Sequence, residues 1–230
     1  METLRAYCDG IVVLDTETSG LSFRGDEIIE FSAVRLEWQD GAWTPVCEVD
    51  EFIRREGDRK LDPKIVALTG ITDELLREEG IGKQPFAALL NRLLPPRSLI
   101  VAYNAQFDLL FLYYFLEKYG DARLLRDQPK LDLLTVYRDR RPFPHKLCNA
   151  IDAYGLSDRV CNSHRAIDDV RATVEVMRAM WAEEGDLEKY INLFGYPRKY
   201  GVSGPKIGSV NYQPQGYEPR GKLYECGLCL

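Results

Sequence analysis

The sequence predicts an α/β domain in which helices flank a mixed five-stranded sheet. Short apolar runs, the first at 11–15, have the length and composition of buried strands. Two longer runs surround Gln39-Asp40-Gly41, which is a hairpin signal. Further along the chain, short apolar runs alternate with helical segments. Strands that first form a meander and then alternate with helices indicate a mixed sheet covered by helices.

Turn and capping residues set the expected bounds of these elements. The expected strands are 11–15, 28–38, 43–53, 98–103 and 130–136. Asp62-Pro63 and Thr72-Asp73 have the residue types that start short helices. The longer expected helices are 86–94, which stops before Pro95-Pro96, then 106–119, which stops at Gly120, and finally 146–154 and 164–184.

The composition bounds the domain organisation. The chain has 230 residues, of which 45% are hydrophobic and 29% charged, and this suits one globular domain with a sizeable core. We place that domain at 1–190. The segment from Gly195 onward contains seven Gly and four Pro without periodicity. This composition predicts an extended or partly disordered tail at 195–230.

The net charge of −6 argues against a protein that holds nucleic acid by bulk positive charge. It still allows an enzyme that neutralises phosphate with bound cations. The six cysteines occur in a chain too long to need disulfides, and no leader pattern is visible. The longest apolar run, 109–116, is too short to span a bilayer. We therefore predict a cytoplasmic protein with reduced thiols and no membrane partner.

Two carboxylates follow the first apolar run. Asp15 and Glu17 are two residues apart, so both side chains point to one face if the strand continues through Glu17. Neighbouring carboxylates repel each other and resist ionisation unless a cation lies between them. Their oxygen ligands suit Mg²⁺ or Mn²⁺. The alternative is a strand end that carries two solvent-exposed acids.

Asp108 is the only charged residue of the segment 102–116, which is rich in Leu, Phe and Tyr. On a helix its neighbours are Phe111 and Leu112. A carboxylate on such an apolar face is costly unless it is paired or bound to a metal. The alternative is a cap at the helix start, a role that Asn104 could fill instead.

The third acidic segment holds two adjacent acids on an expected helix. Asp168 shares a polar stripe with Arg171, whereas Asp169 lies on the other side near Ala166. Asp169 is therefore the acid expected to point into the protein. His164 lies five residues earlier, near the helix start, where the imidazolium is disfavoured and the ring stays available as a base. The alternative for His164 is a polar residue at a helix start.

Together, the three segments resemble the DEDD exonuclease superfamily in its histidine-bearing (DEDDh, DnaQ-like) branch. That branch includes the proofreading subunits and domains of bacterial DNA polymerase III. Its motifs are Asp-x-Glu-Thr-x-Gly, Asn-Ala-x-Phe-Asp, and a His followed five residues later by Asp. They match 15–20, 104–108, and the pair His164 and Asp169. The resemblance covers roughly residues 9–182.

The resemblance implies a ribonuclease H-like fold and hydrolysis of a nucleic acid from its 3′ end by a two-metal mechanism. Two ions, Mg²⁺ or Mn²⁺, would bracket the scissile phosphate. By resemblance, the metal ligands are Asp15, Glu17, Asp108 and Asp169. His164 would accept the proton of the attacking water. These five residues form the expected catalytic set.

Four further residues flank the expected ligands, and relatives use such positions to contact the terminal nucleotide or its sugar. They are Thr18, Leu21, Asn104 and Phe107. Each has a structural alternative. Thr18 could form a turn, Leu21 and Phe107 could pack in the core, and Asn104 could cap a helix.

The favoured function is an exonuclease of the proofreading or repair type that acts on single-stranded DNA and releases nucleoside 5′-monophosphates. One alternative is an RNA 3′-end trimming enzyme of the ribonuclease T type. Another is a non-catalytic module that binds nucleic acid or a polymerase on the same fold. The expected partner is a nucleic acid 3′ end. A DNA polymerase or other replication protein and a second copy of the chain are further candidates.

The remaining features carry weaker signals. The tail interleaves five Lys and Arg with five Tyr, which suits single-stranded nucleic acid, but a linker or a segment packed on the domain is the favoured alternative. Cys226-Gly227-Leu228-Cys229 lacks two further nearby ligands for a zinc site. We expect no catalytic role for His145. Tyr103 stands where relatives often carry His, and we expect it to tune the pocket.

Overall fold

A five-stranded sheet between two layers of helices forms the body of the protein. The computed structural model describes residues 1–160 and 165–226. The strands of the sheet are β1 (Gly10–Thr18), β2 (Ile28–Gln39), β3 (Ala42–Phe52), β4 (Ser98–Ala102) and β5 (Lys130–Asp132). The helices are α1 (Pro63–Thr69), α2 (Asp73–Glu78), α3 (Lys83–Leu93), α4 (Ala105–Tyr119), α5 (Arg123–Arg126), α6 (Leu133–Arg140), α7 (Leu147–Ala153) and α8 (Ala166–Glu184).

The strand order in the sheet is β3-β2-β1-β4-β5. β1 pairs with β2 and β2 with β3 in antiparallel fashion, whereas β1 and β4, and β4 and β5, are parallel. The predicted mixed five-stranded sheet flanked by helices is therefore confirmed. The predicted hairpin at Gln39-Asp40-Gly41 is also present, and both Asp40 and Gly41 have positive φ angles there, as tight hairpin turns require.

Alternation along β1 divides the core into two layers. Ile11 and Val13 pack into a cluster that includes α8 residues. Val12 and Leu14 pack into a second cluster on the opposite face, with residues of α3 and α4. Successive side chains of a strand point to opposite faces. Each later residue of β1 therefore faces either α8 or the layer of α3 and α4.

The structure corrects the expected strand at 130–136. β5 ends at Asp132, and Leu133 begins α6. The cause is Asp132, whose carboxylate accepts hydrogen bonds from the backbone N–H groups of Leu134 and Thr135 at 3.3 and 3.1 Å and from the Thr135 hydroxyl at 2.6 Å. An aspartate cap of this kind satisfies the first free N–H groups of a helix. The apolar pattern of 133–136 reflects burial in a helix rather than in a strand.

The part of the tail that the structure describes, 195–226, is mostly irregular and lies against the domain. β6 (Leu193–Tyr196) and β7 (Asn211–Pro214) form a small parallel sheet. Short 3-10 helices cover Glu2–Ala6, Leu187–Tyr190 and Leu223–Glu225. The described part of the tail therefore corresponds to the alternative of a segment packed on the domain. The division of the chain into 1–190 and 195–230 stays a prediction.

No helix in the described ranges is long and apolar enough to cross a membrane. Of the cysteines there, Cys8, Cys47, Cys148 and Cys226 are free thiols. Cys229, the second cysteine of the terminal pair, lies outside the described residues.

Candidate active site

The end of β1 brings three carboxylates together. β1 continues to Thr18, so Asp15 and Glu17 point to the same face as Val13, which is the face that α8 covers. There they meet Asp169 of α8. One carboxylate oxygen from each of the three residues lies within 4.8 Å of the others. The alternative of a strand end with two solvent-exposed acids is excluded, because both side chains are half-buried.

Helix α8 separates its two adjacent acids as the sequence predicts. Asp169 is 7% exposed, whereas Asp168 lies on a more exposed stripe, 3.7 Å from Arg171. The inward orientation of Asp169 is therefore confirmed. The helix begins at Ala166, so Asp169 lies in its first turn, where the helix dipole favours a negative charge.

Asp108 approaches the same strand end from the other layer. It lies in the first turn of α4 and is 3% exposed. Its Oδ1 accepts hydrogen bonds from the backbone N–H of Thr16 at 3.0 Å and from the Thr16 hydroxyl at 2.7 Å. Thr16 points to the α4 face of β1, between Asp15 and Glu17 on the other face. The fourth acid is therefore tied to the strand that carries the first two.

Burial and mutual repulsion raise the pKa values of these carboxyls. The pKa of Asp15 is well above its ordinary value, first because it is buried and then because Asp108, Asp169 and Glu17 are close. Burial, with Asp169 and Glu30 nearby, raises the pKa of Glu17 to about 8. Burial raises the pKa of Asp108 to about 7, although the two bonds from Thr16 oppose that shift. Such shifts are typical of functional sites.

The donor set of this cluster fits a divalent cation. Three carboxylate oxygens at this spacing supply the hard oxygen ligands that Mg²⁺ and Mn²⁺ prefer. A bound cation would also remove the repulsion that makes these acids costly to ionise. The cluster of Asp15, Glu17 and Asp169, with Asp108 beside it, is therefore the candidate metal centre.

The four expected substrate contacts have different settings in the structure. Thr18 is buried, and its hydroxyl donates to the carbonyl of Gly20 at 2.7 Å, so it does form a turn. Leu21 is 83% exposed, which excludes core packing. Asn104 is exposed, has a φ of 70° and makes no side-chain cap. Phe107 is half-buried and packs on Phe111 with ring centroids 5.0 Å apart. Their contacts with a nucleotide stay predictions.

His164, the expected general base, lies outside the described residues. The other histidine, His145, is buried and its Nε2 lies 3.0 Å from the carbonyl oxygen of Arg141. The hydroxyl of Tyr103 donates to the carbonyls of His145 and Lys146 at 3.0 and 3.3 Å. Tyr103 therefore fixes the loop before α7.

Two acids that position the site were not identified in the sequence. Asp132 accepts hydrogen bonds from the N–H groups of Asn104 and Ala105, both at 3.0 Å, and so caps α4 as well as α6. Glu30 is fully buried on β2. It accepts from Arg165 Nε at 2.8 Å and from the Ala166 N–H at 3.1 Å, so it holds the start of α8. Only a three-dimensional contact reveals either role.

We expect Glu30→Gln to destabilise the protein by about 2 kcal/mol, because the amide accepts fewer hydrogen bonds and leaves the Arg165 guanidinium with only the more distant Asp50 carboxylate, at 3.9 Å, as a charge partner. Urea unfolding in EDTA would measure this change. Glu48→Gln is the matched control, since Glu48 also joins the sheet to an α8 arginine, Arg171, but in an exposed pair. It should cost less than about 1 kcal/mol. Equal effects of the two variants would contradict the role assigned to Glu30.

Comparison with known proteins agrees with this arrangement. The family model described as Exonuclease matches residues 12–177. The chain is 34% identical over 167 residues to the PolC-type DNA polymerase III of Thermotoga petrophila. This alignment covers 72% of this chain and 11% of that protein. It is 30% identical over 185 residues to the epsilon subunit of DNA polymerase III of Salmonella typhimurium, covering 74% of this chain and 70% of the subunit.

The same fold occurs in a solved structure, E. coli exonuclease I in complex with a dT13 oligonucleotide. The TM-score is 0.69 at 23% identity, and the match covers 79% of this chain and 43% of that one. The chain spans only about a tenth of the length of the PolC-type relatives that it matches. The resemblance read from the three acidic motifs is confirmed by the family match, which extends from within β1 into α8. The chain belongs to this exonuclease family.

Proposed function

We propose that this chain is a metal-dependent 3′-5′ exonuclease that shortens single-stranded DNA and releases nucleoside 5′-monophosphates. The observation that carries the proposal is the cluster of Asp15, Glu17 and Asp169, whose carboxylate oxygens lie within 4.8 Å of one another. Asp108 of α4 is hydrogen-bonded to Thr16 at the same end of β1. Buried acids at this spacing are costly without a cation. Bound cations also give an acidic protein a means to hold a phosphodiester.

We assign a separate role in the reaction to each residue of the expected catalytic set. We assign Asp15, Glu17 and Asp169 to hold one Mg²⁺ or Mn²⁺ ion, and Asp15 with Asp108 to hold a second. When bound, the two ions would stabilise negative charge on the phosphate and on the leaving 3′ oxygen. His164 is assigned to accept the proton of the attacking water.

Neighbouring residues keep these groups in place. Thr16 holds the Asp108 carboxylate with two hydrogen bonds, and Glu30 holds the start of the helix that carries Asp169. Fixed ligands of this kind lower the cost of reaching the reactive geometry. Asn104 precedes the helix that carries Asp108, and Leu21 follows the end of β1. Both are exposed, and we assign them to contact the terminal nucleotide.

The choice of DNA rests on the relatives. The most similar proteins include PolC-type and epsilon-type chains of DNA polymerase III. A protein of the same fold binds a dT13 oligonucleotide in its crystal structure. By the same comparison we propose a DNA polymerase or another replication protein as a partner. Formation of a homodimer stays a prediction.

Two adjacent acids of α8 provide the test. We expect the protein to shorten 5′-labelled single-stranded DNA stepwise from the 3′ end in Mg²⁺ or Mn²⁺ and to be inactive in EDTA. Asp169→Asn should lower the rate about a thousandfold or more, because it removes a ligand of the charge-stabilising centre. Asp168→Asn removes the same charge one residue away and should retain activity. Gel analysis of the products would measure both.

Matched RNA of the same sequence separates the remaining alternatives. Faster shortening of RNA would replace the proposed substrate by the RNA-trimming alternative, since tolerance of the 2′-hydroxyl depends on the shape of the site. Binding without turnover of either polymer would support the non-catalytic module. Equal activity of Asp169→Asn and the wild type would refute the assigned metal centre.

A further inference from the structure

A basic groove lies between α6 and the tail, and we call it the tail groove. It has a volume of about 540 Å³, and its cations are Arg138 of α6 and Arg198, Lys199 and Arg220 of the tail. Two carboxylates, Asp139 and Glu218, also line it. The Asp139 carboxylate is occupied by bonds from the Leu223 N–H and from Gln215 Nε2. In a chain with a net charge of −6, this groove concentrates positive charge.

Within residues 1–160 and 165–226, no carboxylate neutralises the groove cations. In the described part of the chain, none of the four forms an ion pair with a carboxylate. Two neighbouring cations do have carboxylate partners: Arg140 pairs with Asp186, and Arg141 pairs with Glu183 at 2.6 Å. The sequence places Arg138, Arg140 and Arg141 in one basic run, and among the described residues only Arg138 has no carboxylate partner. Its side chain is half-buried, and its Nη1 donates to the Gly195 carbonyl at 3.4 Å.

A smaller groove of about 170 Å³ lies between this surface and the start of α4, the helix that carries Asp108. It is lined by Asn104, one of the assigned substrate contacts, and by Tyr196 and Tyr200 of the tail. It shares Arg138 and Pro197 with the tail groove. The two grooves therefore meet at Arg138 and Pro197, between the start of α4 and the tail cations. Tyr200 is 68% exposed along this path and lies under Lys199, whose Nζ is 5.1 Å from the ring centroid.

The tail is anchored to the helix that carries Asp108. Gln106 is buried, and its Nε2 donates to the carbonyls of Ser203 and Pro205, both at 2.9 Å. Its Oε1 accepts from the Tyr212 hydroxyl at 2.6 Å. Because these bonds satisfy a buried amide, detaching the tail would leave polar atoms unpaired. The groove is therefore formed before a ligand binds.

We propose that the tail groove binds the single-stranded DNA on the 5′ side of the terminal nucleotide, and this inference rests on the proposed function. Phosphates would pair with Arg138, Arg198, Lys199 and Arg220, since unpaired cations along a groove track a nucleic acid backbone. The exposed ring of Tyr200 would stack on a base. The tail would thus supply part of the positive surface that a single strand needs.

Binding of a labelled oligonucleotide in EDTA tests this without turnover. We would measure the fluorescence anisotropy of a dT strand of about 12 nucleotides between about 50 and 200 mM salt. The variant Arg198→Gln/Lys199→Gln/Arg220→Gln removes three groove cations. The matched control, Lys60→Gln/Lys64→Gln/Arg92→Gln, removes three exposed cations that lie outside the groove.

The groove variant should bind on the order of tenfold more weakly at low salt, and the slope of log K against log salt should fall by about 2, because each lost phosphate contact removes about 0.7. Each single substitution should remove about 0.7. The control should leave the slope unchanged. Tyr200→Leu should weaken binding about fivefold or more through lost stacking. Equal salt slopes for the groove variant, the control and the wild type would overturn the proposal.

The outcomes separate this proposal from the proposed function. All altered cations are exposed, so equal melting temperatures of the two triple variants would show that both are folded. A reduced salt slope with no hydrolysis in Mg²⁺ or Mn²⁺ would support the groove and refute the exonuclease. Hydrolysis of single-stranded DNA with unchanged slopes would support the exonuclease and refute the groove.

Discussion

Asp15→Asn is expected to raise the melting temperature of the metal-free protein by about 5 °C or more at pH 8 while it lowers the proposed exonuclease activity about a thousandfold or more. Asp15 is the acid that the other three surround, and its pKa is raised by burial and by Asp108, Asp169 and Glu17. At pH 8 the unfolded chain has ionised this carboxyl, whereas the folded protein must either keep it protonated or hold its charge against the neighbouring acids. An amide removes this cost. The amide can also donate hydrogen bonds to the remaining acids.

The same substitution removes the ligand assigned to both ions, so activity should fall about a thousandfold or more. A substitution that only damaged the fold would lower stability and activity together, whereas here the two change in opposite directions. Higher stability with lower activity is typical of the replacement of a residue that destabilises the fold but is needed for function.

Calorimetry in EDTA and gel assays in Mg²⁺ or Mn²⁺ would measure the two effects. Asp40→Asn is the control, because Asp40 is exposed in the β2–β3 turn with a φ of 50°, a conformation that Asn adopts readily. It removes the same charge far from the cluster and should change neither quantity. A lower melting temperature for Asp15→Asn than for the wild type would contradict the repulsion described for the cluster.

Local sequence patterns were sufficient for the five strands of the sheet, apart from the end of β5, and for three of the acids. The apolar run of β1 predicts a buried strand at 11–15. The period of two places Asp15 and Glu17 on one face because the strand continues to Thr18, which the prediction required but did not establish. The period of α8 turns Asp169 inward. These are local properties, so they can be read without knowing the fold.

Contacts between distant segments were not predictable in this way. Asp132 caps two helices because β5 ends beside the start of α4. Glu30 meets Arg165 because β2 lies under α8. The tail composition predicts an irregular chain, but the Gln106 amide that anchors it belongs to a segment 97 residues away. The partners of such polar groups depend on the fold, and no local period encodes them.

The stability of the metal-free protein should fall as the pH rises from about 4.5 to about 8. Glu17 has an ordinary pKa of 4.5 and a pKa of about 8 in the folded protein, and Asp108 shifts in the same direction, to about 7. A carboxyl whose pKa is raised by folding binds its proton more tightly in the folded state. Between the two pKa values the unfolded chain has lost the proton and the folded chain has kept it, so rising pH favours unfolding.

Glu17→Gln isolates this contribution, because other carboxyls titrate near pH 4 in any protein. The variant should show a flatter decline of melting temperature than the wild type between pH 5 and pH 8, and little difference from it below the ordinary pKa of 4.5. Melting curves collected in EDTA across this range would measure the decline. Parallel curves for the two proteins would show that Glu17 ionises normally in the folded state.

Divalent ions should reverse the trend. At pH 8, Mg²⁺ or Mn²⁺ at about 100 times its dissociation constant should raise the melting temperature by about 5 to 10 °C. At pH 5 the same ion concentration should have little effect, because the raised pKa values keep the ligands protonated and protons compete with the metal. Glu17→Gln should reduce the response at pH 8, since it removes one of three ligands. A metal response that is equal at both pH values would place the ions elsewhere on the protein.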